Sequence, residues 1–173
     1  MKLCLKLAIL SQPDLFLLAT NSPLCDEDHA FIWHGMNIEE IIENFEFLDE
    51  WDDRYRYLIE LGNMLPAFDE AHQTQENKVQ GCVSQVWLTA ISDGGKDPIL
   101  TFNGTSDAHL VRGLVAIALA IFSGKQASEI IETDERAIFD KIELSEHITP
   151  QRSNGLNSLV DRMKSHARTV LST

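Results

Sequence analysis

Cysteine is scarce in this chain, and so is positive charge. Only three cysteines occur, Cys4, Cys25 and Cys82, at none of the regular spacings of a disulfide framework, and no Cys-x-x-Cys pair is present. A small secreted domain stapled by bridges is therefore disfavoured, as are redox-disulfide and simple metal-site readings. That cysteine usage fits a reducing compartment, so a cytoplasmic location is expected. Lys and Arg total 14 against 27 Asp and Glu, a net charge of −13, which repels phosphate backbones and anionic lipid; neither nucleic acid nor membrane is an expected partner. No apolar run is long enough to cross a bilayer: Leu7-Ala8-Ile9-Leu10 and Leu15-Phe16-Leu17-Leu18-Ala19 are separated by Ser11-Gln12-Pro13-Asp14, an interruption that also argues against a signal peptide. Internal repeats and low-complexity tracts are lacking as well.

What is present is one domain's worth of chain, 173 residues of which 44% are hydrophobic, enough to bury a substantial core. Residues 1–35 are expected to form a poorly ordered extension, or to reflect an upstream translation start, with Cys4 and Cys25 as inert members; residues 36–173 are expected to form a single domain. In that domain Asn37 is placed to cap a helix through Ile38, Ile41, Ile42, Phe45 and Leu48. A second helix is expected from Trp51 to about Leu61, with Gly62 as its stop and Trp51, Tyr55, Leu58 and Ile59 on its core stripe. A strand near Gln85 to Ile91, a turn at Ser92 to Asp97 and a strand from Ile99 to Asn103 make a hairpin, and a short strand at Lys78 to Gly81 would complete a three-stranded sheet.

Thr105-Ser106-Asp107 is placed to cap a helix over about Ala108 to Phe122, apolar nearly all round and therefore central, ending at Gly124. Gly113 in it lets another element come close. Shorter helices are expected at Ala127 to Ile131 and Glu135 to Ile142, and Thr149-Pro150 starts a last helix reaching about Leu171. This order argues for an α+β fold, a small three-stranded antiparallel sheet packed against helices.

The residue to explain is Cys82, which sits where a polar segment gives way to strand alternation. Unpaired cysteine is usually a small buried hydrophobe; Gln80, Gly81, Ser84 and Gln85 around it suit an exposed turn with donors instead, with Gly81 letting the thiol stand at the turn's tip. On local chemistry both readings stay open. Three stretches then carry a resemblance. Glu76 to Trp87, Glu-Asn-Lys-Val-Gln-Gly-Cys-Val-Ser-Gln-Val-Trp, resembles the cysteine-loop motif of the SufE family of sulfur-acceptor proteins, which includes CsdE. Asn103-Gly104-Thr105-Ser106-Asp107-Ala108-His109-Leu110-Val111-Arg112-Gly113-Leu114 and His147-Ile148-Thr149-Pro150-Gln151-Arg152-Ser153-Asn154-Gly155-Leu156 resemble the same family in the same order, and Trp51 to Gly62 is similar to its second helix.

That resemblance implies a SufE-like fold related to that of IscU-type scaffolds, and a chain that is not itself an enzyme. It implies a sulfur carrier: Cys82 takes persulfide sulfur from a cysteine desulfurase of the SufS/CsdA type, stimulates that enzyme and delivers sulfur to an iron-sulfur scaffold complex. No cofactor is expected on this chain, pyridoxal phosphate belonging to the desulfurase; a homodimer is left open. Gln80, Gly81 and Ser84 would position the loop. Arg152, in a segment that the family places near the cysteine, and Asp107 would support the thiol, although residue chemistry alone reads Arg152 as a surface arginine and Asp107 as a helix cap. Lys78 and Arg152 are the candidates for raising the thiolate fraction, and Val83 and Val86 for sheltering a retracted persulfide. His109, His147 and His72 have no claim as bases. The other classes are an interaction module that activates a desulfurase without carrying sulfur, an iron-sulfur or zinc scaffold, and a cysteine hydrolase.

Overall fold

The computed structural model describes residues 37–172, so the expectations for residues 1–35, Cys4 and Cys25 included, lie outside the described residues. Helix α1 (Ile38–Phe47) begins where Asn37 Oδ1 accepts from the Glu39 amide at 3.4 Å, and it buries Ile38, Ile41 and Phe45. Helix α2 (Trp51–Asn63) follows after a short turn. A short 3-10 turn, Glu70–His72, interrupts the polar segment beyond it.

Strands β1 (Val86–Ser92) and β2 (Ile99–Ser106) pair antiparallel, Val86 opposite Ser106 and Ser92 opposite Leu100. Gly94 and Gly95 take positive φ at the turn, as a tight hairpin requires. Helix α3 (His109–Phe122) lies under β2. It is buried continuously from Gly113 to Leu119, so its all-round apolarity is that of a helix with elements on every side. The sheet turns Val86, Leu88, Leu100 and Phe102 into the same core.

Gly62 does not stop α2. It is buried inside the helix, and the cause lies far away in sequence: a Cβ on Gly62 would stand 2.7 Å from the amide nitrogen of Gly113, and one on Gly113 would stand 2.1 Å from the Leu58 carbonyl oxygen. The two helices meet backbone to backbone, and only paired glycines allow that.

The third strand is also elsewhere than expected. It is β3 (Lys125–Gln126), antiparallel to β2 at Ile99 and Leu100. Gly124, at φ +79, reverses the chain after α3 and donates its amide to Leu100 O at 2.8 Å, which lays the next residues on the open edge of β2. Lys78 forms only an isolated bridge to Trp87 on the other edge, and Gly81, at φ +88, turns the chain off before a strand can develop.

Helices α4 (Ala127–Glu132), α5 (Glu135–Lys141) and α6 (Leu144–His147) lead to α7 (Pro150–Leu171). Asp97 caps α4 from the hairpin, accepting from Ser128 N at 3.0 Å and Ser128 Oγ at 2.6 Å, bonds that hold its carboxyl below the usual range. Thr149 caps α7 and Pro150 occupies its first turn. Helix α7 buries Leu156, Leu159, Val160, Met163 and Ala167, packing against α3, α4 and β1. This completes an α+β fold in which α7 runs beside the segment that carries Cys82.

Candidate functional site

The segment before β1 is fastened at both ends. On the upstream side Val79 N donates to Val86 O (2.8 Å), Leu88 N donates to Asn77 O (2.9 Å), and Arg162 Nη2 of α7 donates to Glu76 O (2.7 Å). On the downstream side Gln85 N donates to Asp107 Oδ1 (3.0 Å), while Gln85 O accepts from Asp107 N (3.2 Å) and Ser106 Oγ (2.8 Å). Between these clasps, among the described residues, residues 80–84 form a local turn at Gln80 and Gly81 and have no backbone–backbone hydrogen bond to the surrounding elements. The unit free to move is therefore five residues long with Cys82 at its middle.

The thiol is not at the tip of the turn. Cys82 is half-buried and Sγ donates to the Gly155 carbonyl of α7 at 3.5 Å. A Cβ on Gly155 would lie 3.2 Å from Sγ, and one on Gly81 would lie 2.7 Å from Ser158 Oγ. Two small residues, one helical turn apart on α7, thus form the seat on which the loop rests. The exposed positions are Gln80, Gly81 and Val83, the last 83% exposed. Val83 stands mostly in water, yet it borders the same apolar space as the thiol.

Behind Cys82 opens a cavity of about 300 Å³. Its apolar walls are Val86 of β1, Val111, Leu114 and Val115 of α3, and Leu156 and Leu159 of α7; Thr149, Gln151 and Arg152 stand at its edge from the start of α7. Burial pushes the Cys82 thiol above its ordinary range, because a thiolate is disfavoured against such walls. Neither candidate cation offsets this. Lys78 Nζ donates to Gln85 Oε1 at 3.4 Å and lies outside the cavity lining; Arg152 reaches the lining yet is exposed. In this seated state burial is the cause that moves the Cys82 thiol, and neither Lys78 nor Arg152 figures among the causes.

Of the residues singled out from the sequence, Cys82, Ser84 and Arg152 share the cavity. Asp107 does not cap α3, whose cap position is Ala108 with no side-chain bond; β2 runs through Ser106, so Asp107 faces Gln85 and closes the downstream clasp. Gln80 is exposed, its amide reaching Lys78 O at 3.4 Å. Among the described residues no histidine lines the cavity: His147 stacks on Trp51 at 3.6 Å, His72 meets Phe68 edge-on, and His109 is exposed. Trp51 and Tyr55 are only half-buried and pin α6, Tyr55 donating to His147 O. Sequence reasoning missed the seat made by Gly155 and Ser158. A signal was available in the alternation itself, since Cys82, Ser84, Val86 and Leu88 are in step and share one face. Among the described residues no group of three or more His, Cys, Asp or Glu converges as a metal site, and no helix is long and apolar enough to cross a membrane.

The described residues thus form a small α+β domain with a lone loop thiol seated over an apolar cavity. Comparison with known proteins places the domain in a family. The SufE Fe-S metabolism associated domain matches residues 39–167. An uncharacterized SufE-like protein of Rhizobium meliloti (strain 1021) is 61% identical over 132 residues, covering 76% of this chain and 94% of that protein. A second, of Rhizobium etli (strain ATCC 51251), is 55% identical over 133 residues, covering 76% and 90%. The solution structure of a hypothetical protein from Thermus thermophilus superimposes with a TM-score of 0.63 at 19% identity, covering 79% of this chain and 96% of that one, a likeness of fold. The chain belongs to the SufE family, which is associated with iron-sulfur metabolism.

Proposed function

We propose that the protein is a sulfur acceptor and carrier that takes sulfur from a cysteine desulfurase of the SufS/CsdA type, stimulates it, and delivers the sulfur to an iron-sulfur scaffold in the cytoplasm. The observation that carries this reading is the seat of Cys82: a thiol over an apolar cavity, on five residues fastened only at their ends. A carrier needs two opposed properties in one sulfur, reach into an enclosed donor site and protection between loading and delivery. A hinged loop and a cavity supply one each.

In the first step residues 80–84 swing outward between the Val79–Val86 clasp and the Gln85–Asp107 clasp. Leaving the cavity removes the burial that raises the thiol's pKa, so more thiolate forms in the polar surroundings of the partner. The Cys82 thiolate attacks the outer sulfur of the desulfurase persulfide; an S–S bond to Cys82 forms as the desulfurase's S–S bond breaks, and the desulfurase cysteine leaves as thiolate. Sulfane sulfur changes protein without any external oxidant or reductant. The loop then reseats and the apolar walls keep reductant from the Cys82 persulfide. Asp107 keeps the downstream hinge in place, and Arg152 is the cation in the lining of the cavity from which the sulfur emerges. Pyridoxal phosphate chemistry belongs wholly to the desulfurase.

The Cys82→Ser variant separates a carrier from an activator that carries nothing. With a desulfurase and cysteine as substrate, a carrier loses most of its acceleration of alanine formation when Cys82 is replaced. Full acceleration by the Ser variant would assign the effect to docking alone.

A further inference from the structure

Val83 has a placement that the carrier reading leaves unused. It is 83% exposed, yet it borders an apolar cavity of about 300 Å³ and directly follows the half-buried Cys82. An aliphatic side chain in water beside unfilled apolar space is a mismatch that a small motion can remove. Burial alternates along this segment: Cys82, Ser84 and Val86 are turned in, Gly81, Val83 and Gln85 turned out. With a side-chain period of two, a one-residue change in sense interchanges the two sets.

The segment is built for that interchange. Residues 80–84 have no backbone–backbone hydrogen bond to the surrounding elements to break, and Gly81 at φ +88 is a pivot that tolerates large backbone change. The thiol's hydrogen bond, 3.5 Å to Gly155 O, is a weak one. Cysteine and valine are both apolar and of similar bulk, so walls that receive one receive the other. We propose that Val83 is a positioning residue for Cys82: as the thiol turns outward toward a persulfide donor, the Val83 side chain turns inward and takes its place. The apolar lining then keeps a small apolar side chain against it in both states, and burial of Val83 offsets unseating of the thiol.

This rests on the carrier reading for the reason why the thiol must emerge, but it is tested without any desulfurase. Alkylation of Cys82 by iodoacetamide in the free full-length chain is followed by peptide-resolved mass spectrometry, so that Cys4 and Cys25 do not interfere. Reaction runs through the outward state. Val83→Ser is expected to slow it about tenfold, because full burial of a valine side chain shifts an equilibrium by at least a decade. Val83→Ile, which fills the cavity at least as well, is expected to match or exceed the native rate. Simple relief of crowding beside the thiol predicts the opposite order, with the serine variant faster. A serine variant that reacts at the native rate or faster overturns the exchange. So does an isoleucine variant as slow as serine. Urea unfolding midpoints unchanged in both variants, as expected for a side chain exposed at rest, show that the rates report the loop rather than the fold. Because sulfur transfer is not part of the measurement, the carrier reading stands or falls separately.

Discussion

Replacing Gly155 by Ala tests the seat of the thiol with two readouts that move independently. The new Cβ would stand 3.2 Å from Cys82 Sγ and 3.7 Å from Cys82 Cα and Cβ, whereas nonbonded heavy atoms of this kind are comfortable at roughly 3.5–4.0 Å. The sulfur must retreat by a few tenths of an ångström. It can do so because residues 80–84 have no backbone–backbone hydrogen bond to the surrounding elements, and the 3.5 Å contact to Gly155 O is lost in the process. Loss of that weak bond, together with the crowding that displaces the sulfur, shifts the seated equilibrium by about 1 kcal/mol, about fivefold. Gly155 is meanwhile a residue within helix α7, where Ala is more favourable than Gly by roughly 0.5–1 kcal/mol. The expected outcome is a urea midpoint equal to or above native, together with iodoacetamide alkylation of Cys82 about five times faster. An unchanged alkylation rate with lowered stability would refute the reasoning, since it would mean that the loop is rigid and the clash is absorbed by the helix.

Other expectations follow from the same geometry. Gly113→Ala puts a Cβ 2.1 Å from the Leu58 carbonyl, a backbone atom with nowhere to go, so α2 and α3 must part; a net loss of about 1–3 kcal/mol by urea unfolding is expected, and a variant as stable as native would contradict the backbone contact. Burial raises the Cys82 pKa, so the alkylation rate should climb with pH about a midpoint above the ordinary thiol value of roughly 8.5; a midpoint at or below that value would show that the seat is not what the thiol experiences. His166 is held below its ordinary range by burial and then by Arg162, whose Nε donates to His166 Nε2 at 3.3 Å. The folded chain therefore takes up this proton less readily than the unfolded chain. The stability involved is present above the unfolded value of roughly 6.5 and is lost as pH falls through the lower folded value. His166→Gln should flatten the fall in urea midpoint between about pH 7 and 5.5; an identical slope in variant and native protein counts against it.

Much of this fold is written in local signals. Asn37 before an acidic first turn, the glycine pair of the hairpin and Thr149-Pro150 each act within a few residues, and α1, the β1–β2 hairpin and α7 begin where they point. What the sequence does not show depends on which distant residues meet. Gly62 has the look of a helix stop until Gly113 is brought against it. Lys78 to Gly81 has the composition of a short strand, but Gly81 turns the chain away from β1 after a single bridge, and the third strand is Lys125–Gln126 on the edge of β2, where Gly124 turns the chain. Asp107 has the look of a cap, and becomes a clasp because β2 extends to Ser106 and carries it past the helix start to face Gln85. At the site, the position of Cys82 was legible, and its alternation with Ser84, Val86 and Leu88 carried the inward sense of the thiol; what the thiol would meet there was not legible. The seat comes from Gly155 and Ser158, 73 and 76 residues further on, and no local pattern announces that α7 will run beneath the loop.

The central claim is that Cys82 receives sulfur. The direct measurement incubates the full-length chain with a cysteine desulfurase and cysteine labelled with radioactive sulfur, then separates the proteins without reductant. The carrier account predicts label on this chain at Cys82, released by thiol reductant and absent from the Cys82→Ser variant. Label that stays on the desulfurase while alanine formation is still accelerated would contradict it.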